Sequence, residues 1–459
     1  MARRKIVFGV GAGMVSTAVD GLVGLFNIHY YSICLPETAS GFWMLLVTIG
    51  GFLILAQSSI VPVISRFTAQ QCGPIESRAA GLANVRRLAQ QALALLLVAS
   101  LLSYLGYILP VGRKYHLGLT ALTSWLLYTA GLACGLDASA RFAVLNGLGE
   151  VGWDKVTRIG TSAAGGVLTW LSLRSDFGLL GLGVIYLIQG IVTLGLADHL
   201  LRKYRKRPSS HFPEAISSRS SASELHPQST TGESQSQRRQ LLVETGKILG
   251  LALFGYLVMN FGTLIIERHL GLEIVYKYAS LLRIGMLLTS VASLIPQMLY
   301  PFVARAWTLG QFRSHLRYFL GGTALAIGTY LLGAVAVWFS APLLIPIWLG
   351  PGKYLGANVL GWILLSCGLL VVNVAISTPV LASIGNAFFG VSILNVTLVL
   401  PLVWLFTGWW GISGAPIGML VGTLIPTLWM VSRSWQLMLH HGRRESPEVL
   451  APQPHLLGQ

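Results

Sequence analysis

The sequence predicts an all-α protein that crosses a membrane about twelve times, in two lobes of six helices with both termini cytoplasmic. Three observations predict this. Of 459 residues, 54% are hydrophobic and 10% are charged, less than half the roughly 25% charged content of a soluble domain. Apolar windows long enough to cross a hydrocarbon core of about 30 Å, which takes roughly 20 helical residues at 1.5 Å each, recur twelve times. Basic residues are shared unevenly among the segments between them. So few ionised groups exclude a cytosolic enzyme, a secreted domain and a disordered chain.

The first window, about 6–32, follows Ala2-Arg3-Arg4-Lys5. It is too long for a signal-peptide core and has no small-x-small cleavage site, so it is read as a retained helix. Windows at 41–64, 88–110, 117–139, 156–173 and 178–199 complete the first half. Residues 201–244 begin Leu-Arg-Lys-Tyr-Arg-Lys-Arg-Pro and continue rich in Ser, Pro, Gln and Glu. That composition cannot bury a core and predicts a disordered cytoplasmic linker. The second half holds windows at 246–268, 276–302, 317–340, 357–379, 387–407 and 411–433. The expected organisation is an N-terminal lobe over 1–200, the linker over 201–244, a C-terminal lobe over 245–440 and an unstructured tail over 441–459.

The net charge is +16, from 32 Lys and Arg against 16 Asp and Glu. With the N-terminus inside, 25 of the 32 basic residues fall in cytoplasmic segments and six on the outer side, with Arg283 alone inside a span. This is a strong positive-inside bias, and it accounts for the basic excess without nucleic acid. Cys34, Cys72, Cys134 and Cys367 form no C-x-x-C pair and no metal spacing, which reads as core thiols.

The halves repeat. Pro62-x-x-x-Arg66 ends the second span and Pro301-x-x-x-Arg305 ends the eighth, 239 positions on. Val144-Leu145-Asn146-Gly147-Leu148-Gly149 matches Val380-Leu381-Ala382-Ser383-Ile384-Gly385 at an offset of 236. Gly178-Leu179-Leu180-Gly181 matches Gly411-Ile412-Ser413-Gly414 at 233. Six helices per repeat is an even number, so both repeats enter the membrane in the same direction, an arrangement known in transporters.

An ionisable side chain at bilayer depth costs at least about 2.5–3.5 kcal/mol on insertion scales. Asp20 lies roughly 21 Å from the inner face and Arg283 roughly 10 Å below the outer one, at 1.5 Å per residue. These depths coincide, so the two could face each other, either as a binding site or as a structural ion pair. Ser16, Asp20 and Asn27 share one face of the first span. Tyr256, Asn260, Thr263 and Glu267 share one face of the seventh. Asp20 and Asn260, Asn27 and Glu267, and His29 and His269 each differ by 240. Such stripes suit the walls of a wet cavity, and they equally suit hydrogen bonding between helices. His29 and His269 read as interfacial. Arg66 and Arg305 close the inner ends of two spans, as phosphate-attracting gates or as residues snorkelling to headgroups.

Other chemistry is not encoded. Gly9-Val10-Gly11-Ala12-Gly13 lies inside the first helix and reads as a packing surface. There is no phosphate-binding Gly-x-x-x-x-Gly-Lys loop, no HExxH and no nucleophile elbow. The longest outer loop, about 340–356, is too short for a catalytic domain, so neither an enzyme nor a catalytic or metal centre is expected.

The stretch from Tyr30 to Trp43, Tyr-Tyr-Ser-Ile-Cys-Leu-Pro-Glu-Thr-Ala-Ser-Gly-Phe-Trp, resembles the opening of Wzx-type polysaccharide and O-antigen flippases. These belong to the multidrug/oligosaccharidyl-lipid/polysaccharide (MOP) exporter superfamily. The Pro-x-x-x-Arg ends, the 141–149 stretch and the Gly-Pro-Gly-Lys loop at 350–353 fit the same pattern, diffusely, over nearly the whole chain. The resemblance implies a carrier in the bacterial inner membrane that flips polyprenyl-pyrophosphate-linked oligosaccharide for lipopolysaccharide or other surface polysaccharide. Its implied partners are that lipid-linked oligosaccharide, membrane lipids, a polysaccharide polymerase and glycosyltransferases. Tyr278-Ala279-Ser280-Leu281-Leu282-Arg283 is similar to a stretch of lipid II flippases, which gives Arg283 a substrate role, although Leu282 stands where that relative has Asp. The expected binding residues are Arg283, Asn260 and Asp20, with Ser16, Asn27, Thr263, Glu267, Arg66 and Arg305 at the cavity or its gates. No cofactor is expected, and a proton or sodium ion is a candidate coupling ion. The alternative is a drug or metabolite antiporter of the same superfamily, for which an acid-dominated cavity would favour organic cations.

Overall fold

Each of the twelve apolar windows lies on a helix. The computed structural model describes residues 2–70, 90–91, 93–147, 152–205, 231–309, 311–384 and 388–444. The helices are α1 (Ala2–Cys34), α2 (Glu37–Gln70), α3 (93–114), α4 (Gly118–Gly147), α5 (Trp153–Arg174) and α6 (Gly178–Arg205). They continue as α7 (Thr231–Leu270), α8 (Leu272–Thr308), α9 (Phe312–Leu349), α10 (Ala357–Ile384), α11 (Phe389–Trp410) and α12 (Gly414–Arg444). α3 passes through a π-helical turn at Tyr104–Ile108.

Ten stretches among the described residues are long and apolar enough to cross a membrane, one of which, Phe389–Gln436, holds both α11 and α12. α5 falls short because Asp154, Lys155, Arg158 and its Ser, Thr and Gly residues dilute its apolar side chains. The architecture is that of a multi-pass membrane protein.

The helices outrun the windows that predict them. α9 has 38 residues, about 57 Å at 1.5 Å per residue, well beyond a hydrocarbon core. Once a helix has started in apolar sequence, each added polar residue gains a hydrogen bond for one residue fixed. For the same reason helix occupies both margins of the expected linker, because α6 runs on to Arg205 and α7 begins at Thr231. α12 likewise enters the expected tail and ends at Arg444. Residues 206–230 and 445–459 lie outside the described residues.

The chain divides into two compact units, Met1–Val23 with Ile49–Leu253, and Gly24–Thr48 with Phe254–Gln459. The end of α1 and the start of α2 therefore belong with the second unit. In the first unit, α4 and α6 meet at glycines. A Cβ on Gly131 would lie 2.4 Å from the Tyr186 carbonyl, and one on Gly190 2.4 Å from that of Gly131. Ile64 of α2 packs on Ala140, Ala143 and Val144 of α4. Arg141 ties the two helices together, pairing with Asp137 of its own helix and Asp198 of α6.

In the second unit, α11 and α12 form the tightest seam. Gly414, Gly418 and Gly422 recur every fourth residue, and a Cβ on each would lie 1.9, 2.7 and 2.7 Å from α11 backbone. Small residues at this spacing let two backbones approach without a side chain between them. The repeat is visible in the backbone too: Gly178 and Gly411, 233 positions apart, hold φ of +54° and +58°. That left-handed conformation strains any residue with a Cβ.

Candidate functional site

In the first unit, Asp20 on α1 is committed to a partner. Nε of Arg158 on α5 donates to its carboxylate at 2.6 Å. Ser16, one turn away, is buried. The expected facing of Asp20 and Arg283 is not how the structure uses Asp20: Arg158 neutralises it, and Arg283 belongs to the other unit. Sequence alone hid this because Arg158 reads as one of many basic residues that orient the chain.

In the second unit, the α7 stripe is buried along its length, with Asn260 5%, Thr263 1% and Glu267 4% exposed. Tyr256 donates through its hydroxyl to the Thr48 carbonyl at 2.7 Å. Asn260 Nδ2 donates to the Tyr256 carbonyl at 3.2 Å. Arg283 on α8 is half-buried. Among the described residues no acid pairs with it. Because α8 begins at Leu272, earlier than its apolar window, Arg283 lies eleven residues from the helix start, roughly 17 Å along the axis. The α7–α8 turn passes through Gly271, with φ +91°, and a Cβ on Gly262 of α7 would lie 3.3 Å from the Tyr278 hydroxyl of α8.

The remaining expected residues scatter. Among the described residues the buried Oδ1 of Asn27 has no partner. His29 contacts the Trp348 carbonyl, and the His269 ring packs on Trp404 at 4.7 Å. Arg305 is exposed at the end of α8, while the Arg66 side chain lies outside the described residues. Among the described residues no group of three or more His, Cys, Asp or Glu could hold a metal. Cys34, Cys134 and Cys367 are free thiols.

Sequence reasoning missed a polar fastening around the tip of the α1–α2 hairpin. Lys353, in the Gly-Pro-Gly-Lys loop after α9, donates to the Ser32 carbonyl at 2.6 Å and to its hydroxyl at 2.9 Å. Its ammonium also lies 5.7 Å from the Tyr276 ring centroid. Trp348 Nε1 donates to the Leu25 carbonyl at 3.1 Å, and Lys277 pairs with Glu37 at 3.1 Å. These links join residues some 240–320 positions apart, and no local pattern announces them.

Solved structures with this arrangement exist. The chain is similar to an inward-facing multidrug resistance MATE family transporter of the MOP superfamily, with a TM-score of 0.69 at 14% identity, over 94% of this chain and 99% of that one. A MATE protein in complex with MaD3S matches at 0.64 and 15% identity, over 96% and 97%. The Vibrio cholerae MATE transporter VcmN, in a mutant form, matches at 0.60 and 17%, over 97% and 98%. No family model matches the chain, and no curated protein matches it. The class is thus a multi-pass membrane protein with the MATE transporter fold.

Proposed function

We propose that the chain is a carrier that flips a polyprenyl-pyrophosphate-linked oligosaccharide across the bacterial inner membrane by alternating access of its two lobes. The observation that carries this reading is Arg283: a half-buried cation in a helix apolar enough to cross a membrane, with no acid paired to it among the described residues. A cation inside a membrane span costs several kcal/mol, and an anionic substrate group offsets that cost when it binds. The acid on α1, Asp20, is already compensated by Arg158, which leaves positive charge as the recognisable feature of these residues. Guanidinium binds pyrophosphate oxygens through paired N–H donors, and Asn260 supports it from α7. The glycan would come from cytoplasmic glycosyltransferases and pass to a polymerase on the other side.

A second reading has its own observation. Glu267, 4% exposed on the same α7 stripe, is an acid of the kind a proton- or cation-coupled MATE-like antiporter would use. The experiment that separates the two is reconstitution in proteoliposomes. A flippase moves fluorescent polyprenyl-pyrophosphate sugar, and Arg283→Ala reduces that movement at least tenfold while Arg283→Lys keeps part of it. Undiminished flipping by Arg283→Ala removes the phosphate role. Cation-driven drug transport without any flipping establishes the antiporter.

A further inference from the structure

Among the buried side-chain oxygens of the second unit that no described group pairs are Oδ1 of Asn373 on α10, Oδ1 of Asn395 on α11 and Oγ1 of Thr423 on α12. Thr423 is 1% exposed. Helix register sets Asn373 and Thr423 at one level and Asn395 three residues further along α12, about 4.5 Å. α10 and α12 run parallel at an offset of 50, fixed on one side by the Ser366 hydroxyl donating to the Pro416 carbonyl at 2.7 Å. On the other side it is fixed by Val380 and Met430 sharing one apolar cluster. Asn373 and Thr423 lie seven residues from each of these pairs. Seven residues fall about 20° short of two full turns, so both point as their flanking partners do, toward the shared contact.

α11 runs antiparallel to α12, with Gly418 against Val403 and Gly422 against Val399. The next turn of this seam sets Asn395 against Pro426, and one turn further Val391 joins Met430 in the same apolar cluster. Pro426 lies inside α12 and has no N–H, so the Gly422 carbonyl lacks its helical donor. Register thus gathers four oxygens within about one turn of α12, and three of them only accept.

A group that satisfies them must be small and donate. From Ala357 to Ser432 these helices contain no Asp, Glu, Lys or Arg, so a metal cation there would lack a counter-charge. Water donates twice, and a buried water typically makes about three hydrogen bonds to groups left unsatisfied. We propose that Asn373, Asn395 and Thr423 enclose an ordered-water site in the second unit, which hydrates the proline break in α12. Freed backbone groups at prolines in membrane helices are re-satisfied in this way.

The test is a double-mutant cycle on the full-length protein in lipid nanodiscs, read as the melting midpoint. Asn373→Leu and Thr423→Val each lower the midpoint by about 2–4 °C, and together they lower it no further than the worse single variant, because one shared water is lost once. Thr423→Ser, which keeps the hydroxyl, melts with wild type. Fully additive losses overturn the shared site. Replacing choline chloride with sodium chloride leaves the wild-type midpoint unchanged. A sodium-dependent rise that Asn373→Leu abolishes would make this a cation site and overturn the water assignment. Should Asn373→Leu not fold, Asn373→Ala closes the same cycle.

Discussion

Nε of Arg158 and the carboxylate of Asp20 meet at 2.6 Å across 138 positions of sequence, joining α5 to α1 within the first unit. Arg158 is 61% and Asp20 27% exposed at the side chain, so the pair is not enclosed by protein. A double-mutant cycle of Asp20→Asn with Arg158→Gln is expected to give a coupling of about 1 kcal/mol or less. Asp20→Asn is also expected to retain transport of an anionic substrate. Lost transport with an unchanged melting midpoint would make Asp20 a direct ligand.

Lys277 and Glu37 form the corresponding test at the hairpin tip. Lys277→Glu and Glu37→Lys each place like charges 3.1 Å apart and are expected to lower stability. The exchanged pair should recover most of the loss, about 1 kcal/mol. Melting midpoints of the three variants decide it, and an exchanged pair no better than the singles means that the surroundings, rather than the pair, set the preference.

Removing the Lys353 ammonium affects the same tip differently. Lys353→Met leaves the buried Ser32 hydroxyl and its carbonyl without this donor. The expected cost is about 1–3 kcal/mol. Amide hydrogen exchange over residues 25–45 should accelerate while exchange in α4 and α6 stays at wild-type rates; uniform acceleration would mean a global effect.

Glycines provide a contrast within one residue type. A Cβ on Gly418 would lie 2.7 Å from Val403 backbone, whereas one on Gly24 meets nothing within 4 Å. Gly418→Val is therefore expected to destabilise by about 1–3 kcal/mol through overpacking. Gly24→Ala should stabilise by about 0.5–1 kcal/mol, because glycine in a helix loses more backbone freedom on folding. Folded yield and melting midpoint of the two variants measure the difference.

The helices were legible because hydropathy is a local signal: every window is a run of neighbours, and all twelve fall on helices. Helix ends were less so, since Arg205 and Thr231 are held by propagation from apolar sequence rather than by their own composition. Interhelical partners were not legible. The α7 stripe from Tyr256 to Glu267 could be read from spacing alone, yet nothing in the spacing showed that Tyr256 reaches Thr48. Asp20 stood out as a charge in a span, but its partner sat among basic residues that a topology argument had already explained. Lys353 was visible only as the end of a loop motif.

The glycine seam between α11 and α12 bears on how such a protein diverges. Gly414, Gly418 and Gly422 resist substitution, because neighbouring backbone occupies the space, whereas a position facing lipid accepts almost any apolar residue. The instructions for this architecture are therefore written largely in places where a side chain is missing, and most of the alphabet is free to drift around them.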